Sequence, residues 1–156
     1  MTVQDTQKEF DRAVALVQGA IRRLGIDPAQ VQLDPPGEVG RGWSLMRGSA
    51  AVAVFLRPPR EGEDGPQLRI VAPIVRVDPA REVDLYRRLL ELNAQGMGPV
   101  AFGLLQDRVV VVAERRSADL GPEELEHLVQ RVGAVGDHYD DQLVTRFGGQ
   151  RVSDLH

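Results

Sequence analysis

Two short runs of consecutive apolar residues constrain the fold of this 156-residue chain more than any other feature. They read "AAVAVF" at 50–55 and "VVVVA" at 109–113. Successive side chains of a β-strand point to opposite faces of its sheet, so strands of this kind need cover on both faces. The chain must therefore build a sheet and also supply, or recruit, material for both of its sides.

Helical patterns flank these runs. An amphipathic helix is predicted over 5–24, where apolar residues recur at steps of four and three. These residues are Phe10, Val14, Val17, Ile21 and Leu24. Asp78–Pro79 is typical of a helix start, with a cap followed by proline, and predicts a second helix over 80–95. A third helix is predicted from about 121 to about 147, beginning with "GPEELEHLV".

Five strands are predicted between the helices, at 43–47, 50–57, 67–77, 99–105 and 108–114. Pro73 within the third strand predicts an edge position or a bulge, since proline has no N–H to donate. The predicted order is α-β-β-β-α-β-β-α, an α+β fold with helices packed on an antiparallel sheet. We expect a single domain over 1–156, with a surface connection at 26–41 and a tail at 148–156.

The second predicted helix is apolar over an unusually wide arc of about 200°, whereas a helix resting on one sheet needs about 100°. The residues of this arc are Val83, Leu85, Tyr86, Leu89, Leu90 and Leu92. Three helices can cover one face of a five-stranded sheet. They are too few to cover both faces and also the second apolar side of this helix. We infer that a second copy or a bound polypeptide covers the rest at these six residues. The alternative is that the connection at 26–41 folds over the open face.

Composition excludes several classes of function. The chain has no cysteine, which excludes disulfides, thiol catalysis, thiolate zinc sites and iron–sulfur clusters, and fits a reducing cytoplasm. Its formal net charge of −4 makes direct nucleic-acid binding through phosphates an unfavourable hypothesis. The N-terminal stretch lacks the basic start and apolar core of a secretory signal, and no stretch suggests a membrane span. We therefore expect a cytoplasmic protein.

The stretch "GDHYDDQL" at 136–143 has the side chains of a metal or acid–base site. On a helix with Tyr139 at the centre of the buried stripe, Asp137 and Asp141 lie about 160° away and face water. His138 and Asp140 lie on opposite flanks and do not converge. The predicted buried neighbours of Tyr139 are Leu128, Val132, Val135 and Leu143. A solvated acidic helix face is therefore favoured over a catalytic or metal site.

The remaining candidates also have structural explanations. "REGEDG" at 60–65 is too short and irregular for a calcium loop and is interpreted as a solvated hairpin tip. Trp43, the single tryptophan, is assigned to the core rather than to a binding hot spot. His156 lies on a tail that is expected to be mobile. We predict no catalytic, cofactor-binding or metal-binding residue, and no cofactor.

The chain resembles the bacterial YbjN family, whose domain shares its fold with type III secretion chaperones. The residues that indicate this lie within 43–147. The most specific part is the stretch ending in "LLELNA", followed closely by "AFGL" and the "VVVVAE" strand, and "DHYDDQL" matches a helix pattern of the family. The resemblance implies the same element order, a homodimer with the second helix at its interface, and capture of an extended client segment in apolar grooves without catalysis. It supplies no catalytic residues to transfer.

The residues and the resemblance together favour a non-enzymatic, homodimeric, chaperone-like module that captures a segment of a partner protein, with no role at a membrane. The alternative is a regulatory protein that senses a small molecule in an apolar pocket between sheet and helices.

Overall fold

The computed structural model describes residues 2–34 and 40–155. Part of the predicted connection, 35–39, and the terminal His156 lie outside the described residues. The helices are α1 (Val3–Arg23), α2 (Glu82–Ala94) and α3 (Pro122–Phe147). The strands are β1 (Gln32–Leu33), β2 (Arg41–Arg47), β3 (Ala50–Arg57), β4 (Gln67–Arg76), β5 (Ala101–Leu105), β6 (Arg108–Arg116) and β7 (Gln150–Arg151).

The seven strands form one sheet in the order β1-β2-β3-β4-β6-β5, and β7 pairs with β4. The predicted α+β fold and element order are confirmed. Two short strands were not predicted, β1 within the expected connection and β7 within the expected tail. The edge position suggested for Pro73 is wrong, because β4 lies between β3 and β6.

The chain divides into two compact units, and the expected single domain over 1–156 stays a prediction. The first unit comprises 1–45, 53–70 and 114–129. In it, a reciprocal cap between Thr2 and Asp5 starts α1, with the Asp5 N–H donating to Thr2 Oγ1 at 3.1 Å. Arg23 at the other end of α1 donates to Glu126 at 2.7 Å. Trp43 is fully buried here, so its assignment to the core is confirmed.

The second unit comprises 46–52, 71–113 and 130–156. Asp78 accepts a hydrogen bond from the Ala80 N–H at 3.0 Å, and Pro79 opens a single 3-10 turn from which α2 continues. The strands β5 and β6 form a hairpin with Gln106 and Asp107 at its tip, and Gln106 has a φ of 55°. Such left-handed backbone suits the two-residue turns that join twisted strands.

Two glycines bring α3 close to the strands of the second unit. A Cβ added at Gly136 would lie 3.0 Å from Ile74 Cγ2 and 3.3 Å from Ala50 Cβ, and one added at Gly133 would collide with the Arg47 Cβ. The centre of the buried arc of α3 is therefore Gly136. The prediction that Tyr139 occupies this centre is wrong, because the side chain of Tyr139 is only half-buried.

No helix in the described part of the chain is both long enough and apolar enough to cross a membrane.

Candidate functional site

Helix α2 is apolar on two sides, and the described residues bury only one of them. Leu85, Leu89 and Leu92 are buried. Val83 and Leu90 are 76% and 68% exposed, and they lie about 140° around the helix from the centre of the buried side. We call Val83 and Leu90 the open stripe of α2.

Tyr86 lies between the buried side and the open stripe. Its hydroxyl donates to the Glu82 carboxylate at 3.4 Å. Removal of the phenol from water and the nearby negative charge of Glu82 both raise the pKa of Tyr86, with burial the larger cause. Of the six residues predicted to contact a partner, three are thus buried within the chain. Contact through the open stripe, with Tyr86 at its margin, stays a prediction.

Strand β5 lies at the end of the sheet, and its outer edge is partly closed by a side chain of α2. The Asn93 side-chain amide donates to the Phe102 carbonyl at 3.1 Å, and its oxygen accepts from the Phe102 N–H at 2.8 Å. Asn93 therefore pairs with the edge much as a neighbouring strand would, and it holds α2 against β5.

The edge is open two residues further along. Phe102 and Leu104 face Val111 and Val109 across the hairpin, in positions whose backbone groups point away from β6. Asn93 satisfies those of Phe102, whereas the N–H and C=O of Leu104 point outward from the sheet. The Leu104 and Leu105 side chains are 44% and 45% exposed beside them. The sequence analysis did not predict this edge. Two consecutive leucines directly before a two-residue turn point to opposite faces of the sheet, and this pattern could have indicated exposed apolar side chains there.

The sequence predicted that both faces of strand β3 would be covered, and the burial of its side chains tests this. Alternate residues at 50, 52, 54 and 56 are buried. The residues between them, at 51, 53 and 55, are exposed or half-buried, although two are alanines and one is Phe55. One face of this apolar strand is thus packed within the chain, and the other is only partly covered.

The acidic stretch at 136–143 is fastened to the turn between β2 and β3. The Ser49 N–H donates to Asp137 Oδ1 at 2.9 Å, and the Ser49 hydroxyl lies 2.7 Å from both Asp137 Oδ1 and Asp140 Oδ2, between which its one proton is shared. Asp140, predicted to lie on a flank of the helix, is only 3% exposed. This burial follows because α3 buries the arc around Gly136, which includes position 140. Asp137 and Asp141 are exposed, as predicted.

The other side chains of this stretch also have structural partners. Hydrogen bonds from Ser49 are the main cause that lowers the pKa of Asp137, helped by the charge of Arg151. Tyr139 packs edge-on against Phe102 and His138, with ring centroids 5.2 and 4.8 Å away. Within residues 2–34 and 40–155, no group of three or more His, Cys, Asp or Glu side chains could hold a metal ion.

The acidic hairpin tip at 60–65 has an internal role. The Glu63 carboxylate accepts two hydrogen bonds from Arg57, at 2.7 and 2.8 Å, and one from the Arg60 N–H at 2.8 Å. These bonds favour the charged carboxylate and lower the pKa of Glu63 to about 2, with Arg57 the largest cause. This tip is a closed ion pair rather than a set of free ligands.

Comparison with known proteins relates this chain to a family. The model of a family described as T3SS (YopN, CesT) and YbjN peptide-binding chaperone 1 matches residues 11–155. A chain of the solved ExsC–ExsE complex is similar, with a TM-score of 0.58 and 18% identity over 86% of this chain and 95% of that one. A chain of the heterodimeric ExoU–SpcU complex, from the type III secretion system of Pseudomonas aeruginosa, has a TM-score of 0.50 and 18% identity, over 81% and 96%. The comparison with curated proteins gave no match.

Proposed function

Because the chain belongs to the family of T3SS and YbjN peptide-binding chaperones, we propose that it is a non-enzymatic homodimer that binds an extended segment of a client protein. The observation that carries this proposal is the open stripe of α2, where Val83 and Leu90 face solvent opposite a buried leucine face. Two exposed apolar side chains seven residues apart on one side of a helix match the spacing of the anchors by which helices pack into apolar grooves. Packing of two copies through the open stripe covers it.

The open edge at Leu104 is the proposed client site. A client strand that pairs there gains backbone hydrogen bonds from the Leu104 N–H and C=O, the mode known as strand addition. Leu104 and Leu105 then contact side chains of the client on the two faces of the sheet. The two similar structures are both complexes with a second protein, which supports binding of another chain by this fold.

Proline at position 104 separates backbone pairing from side-chain contact. Leu104→Pro removes an N–H that points to the open edge and leaves the hydrogen bonds between β5 and β6 intact. Leu104→Ala is the matched control, since it removes the side chain and keeps the N–H.

The test selects client peptides from a displayed library and measures their affinity for each variant. We expect Leu104→Pro to bind selected peptides at least about tenfold more weakly than Leu104→Ala, the equivalent of one or two backbone hydrogen bonds. Equal binding by the two variants refutes strand addition. Light scattering on the same samples measures the mass, and a monomer with no bound peptide refutes the proposed function.

A further inference from the structure

Four arginines surround an open pocket beside α2. The arginines come from two places: Arg81 directly precedes α2 and Arg87 and Arg88 lie within it, while Arg146 lies at the end of α3. The pocket volume is about 400 Å³. Asp84, Glu91 and Phe147 complete the lining. The pocket thus has two more positive than negative charges, although the net charge of the chain is −4.

Two of these arginines are free to bind a ligand. Glu91 is near Arg87 at 3.2 Å and Arg88 at 3.8 Å, so these two arginines are partly neutralised. Arg81 and Arg146 form no ion pair with any residue in 2–34 or 40–155. The Arg146 guanidinium lies 5.1 Å from the centre of the buried Phe147 ring, a cation–π contact that orients it.

The pocket opens on a flank of α2. Asp84, Arg88 and Glu91 lie about 80–140° around the helix from Val83, between the open stripe and the buried side. A second copy packed on the open stripe therefore leaves these three residues open to a different ligand, whereas Arg87, about 40° from Val83, lies at the border of the stripe.

We propose that this pocket binds an acidic stretch of the client, and that Arg81 and Arg146 each bind one of its carboxylates. This inference rests on the proposed function. A guanidinium offers paired donors that match a carboxylate, and its charge is permanent. Asp84 and Glu91 repel a compact, highly charged anion that fills the pocket. They tolerate single carboxylates spaced along a chain, each opposite an arginine.

The test uses two short fluorescein-labelled peptides, one alternating Glu with Ser and one with every Glu replaced by Gln. Fluorescence anisotropy measures their affinity for the wild-type chain and for Arg81→Gln/Arg146→Gln. Arg12→Gln/Arg131→Gln is the control, because it removes the same charge from exposed arginines outside the pocket. Circular dichroism verifies that each variant is folded.

We expect the Glu peptide to bind the wild type about tenfold more tightly than the Gln peptide at low salt, from two partly exposed ion pairs. The preference should disappear in Arg81→Gln/Arg146→Gln, persist in the control, and weaken at about 1 M salt. Equal affinity of the two peptides for the wild type overturns the proposal. So does a preference that the pocket variant retains.

Three further outcomes separate this proposal from others. Displacement of the Glu peptide by millimolar inorganic phosphate shows a site for compact anions and overturns the assignment to a peptide. If library-selected peptides bind Leu104→Pro weakly but bind Arg81→Gln/Arg146→Gln as tightly as the wild type, the pocket proposal is refuted and the proposed function is not. Failure of every peptide to bind refutes the proposed function as well.

Discussion

Ser49→Ala tests whether the bridge between the β2–β3 turn and α3 stabilises the fold. The Ser49 hydroxyl lies 2.7 Å from Asp140 Oδ2 and shares its one proton between this oxygen and Asp137 Oδ1, and the other oxygen of the buried Asp140 carboxylate accepts from the Asp141 N–H at 2.7 Å. Alanine leaves Oδ2 without that partner where water has little access. A hydrogen bond to a charged group contributes about 1.5–3 kcal/mol. Asp137 also loses its bond from the hydroxyl, but it is exposed, so water replaces that donor, and the Ser49 N–H remains.

We therefore expect Ser49→Ala to lower the free energy of unfolding by about 2 kcal/mol, and Tm by about 4–8 °C for a chain of this size. Urea denaturation followed by circular dichroism measures the first quantity, and calorimetry the second. Ser153→Ala, at an exposed serine, is the matched control and should stay within about 0.5 kcal/mol of the wild type.

A double-mutant cycle with Asp140→Asn isolates the pair. If Ser49→Ala is as stable as the control, or if the coupling with Asp140→Asn is near zero, the bridge does not stabilise the fold.

Three further predictions concern other parts of the structure. Leu90→Asp should convert the proposed dimer into monomers, because an unpaired carboxylate would be buried at the contact, and a dimeric mass by light scattering contradicts this. Asn93→Ala should lower the free energy of unfolding by about 1–2 kcal/mol and speed hydrogen exchange at the Phe102 amide, which loses its acceptor. Unchanged exchange would contradict the role of Asn93 in holding α2 against β5. Because the pKa of Glu63 is lowered to about 2, its pair with Arg57 should stabilise the fold above about pH 4.5 and lose this effect as pH falls to about 2. Glu63→Gln should thus be less stable than the wild type at pH 6 and equally stable near pH 2, and a pH-independent difference refutes this account.

The sequence predicted the elements because their signals are local. The steps of four and three that end at Leu24 predicted α1 to within two residues at its start and one at its end. The runs at 50–55 and 109–113 both form strands, β3 and β6. These local patterns do not show which strands pair with each other. Neither β1 nor β7 has more than two residues, and each exists only because another strand pairs with it.

The candidate surface was predicted only in part, since exposure depends on packing that a helical wheel does not contain. The arc of α2 was recognised, but nothing in the sequence distinguishes the buried Leu89 from the exposed Leu90. Centring the buried stripe of the third helix on Tyr139 placed Asp140 on a flank, about 100° away, whereas it lies within the buried arc. Its burial depends on Ser49, which is distant in sequence and adjacent only in the folded chain.

The two glycines of α3 have a consequence for the order in which this chain folds. Each lowers the intrinsic helix propensity by about 1 kcal/mol relative to alanine, in the middle of a 26-residue helix. An isolated peptide of this segment should therefore gain helicity when both are alanine, whereas in the whole chain the same change forces a collision with Arg47. The helix is weakest where its final docking is closest. Its central turns should thus form late, upon the strands, and make a nascent α3 dependent on a sheet that is already assembled.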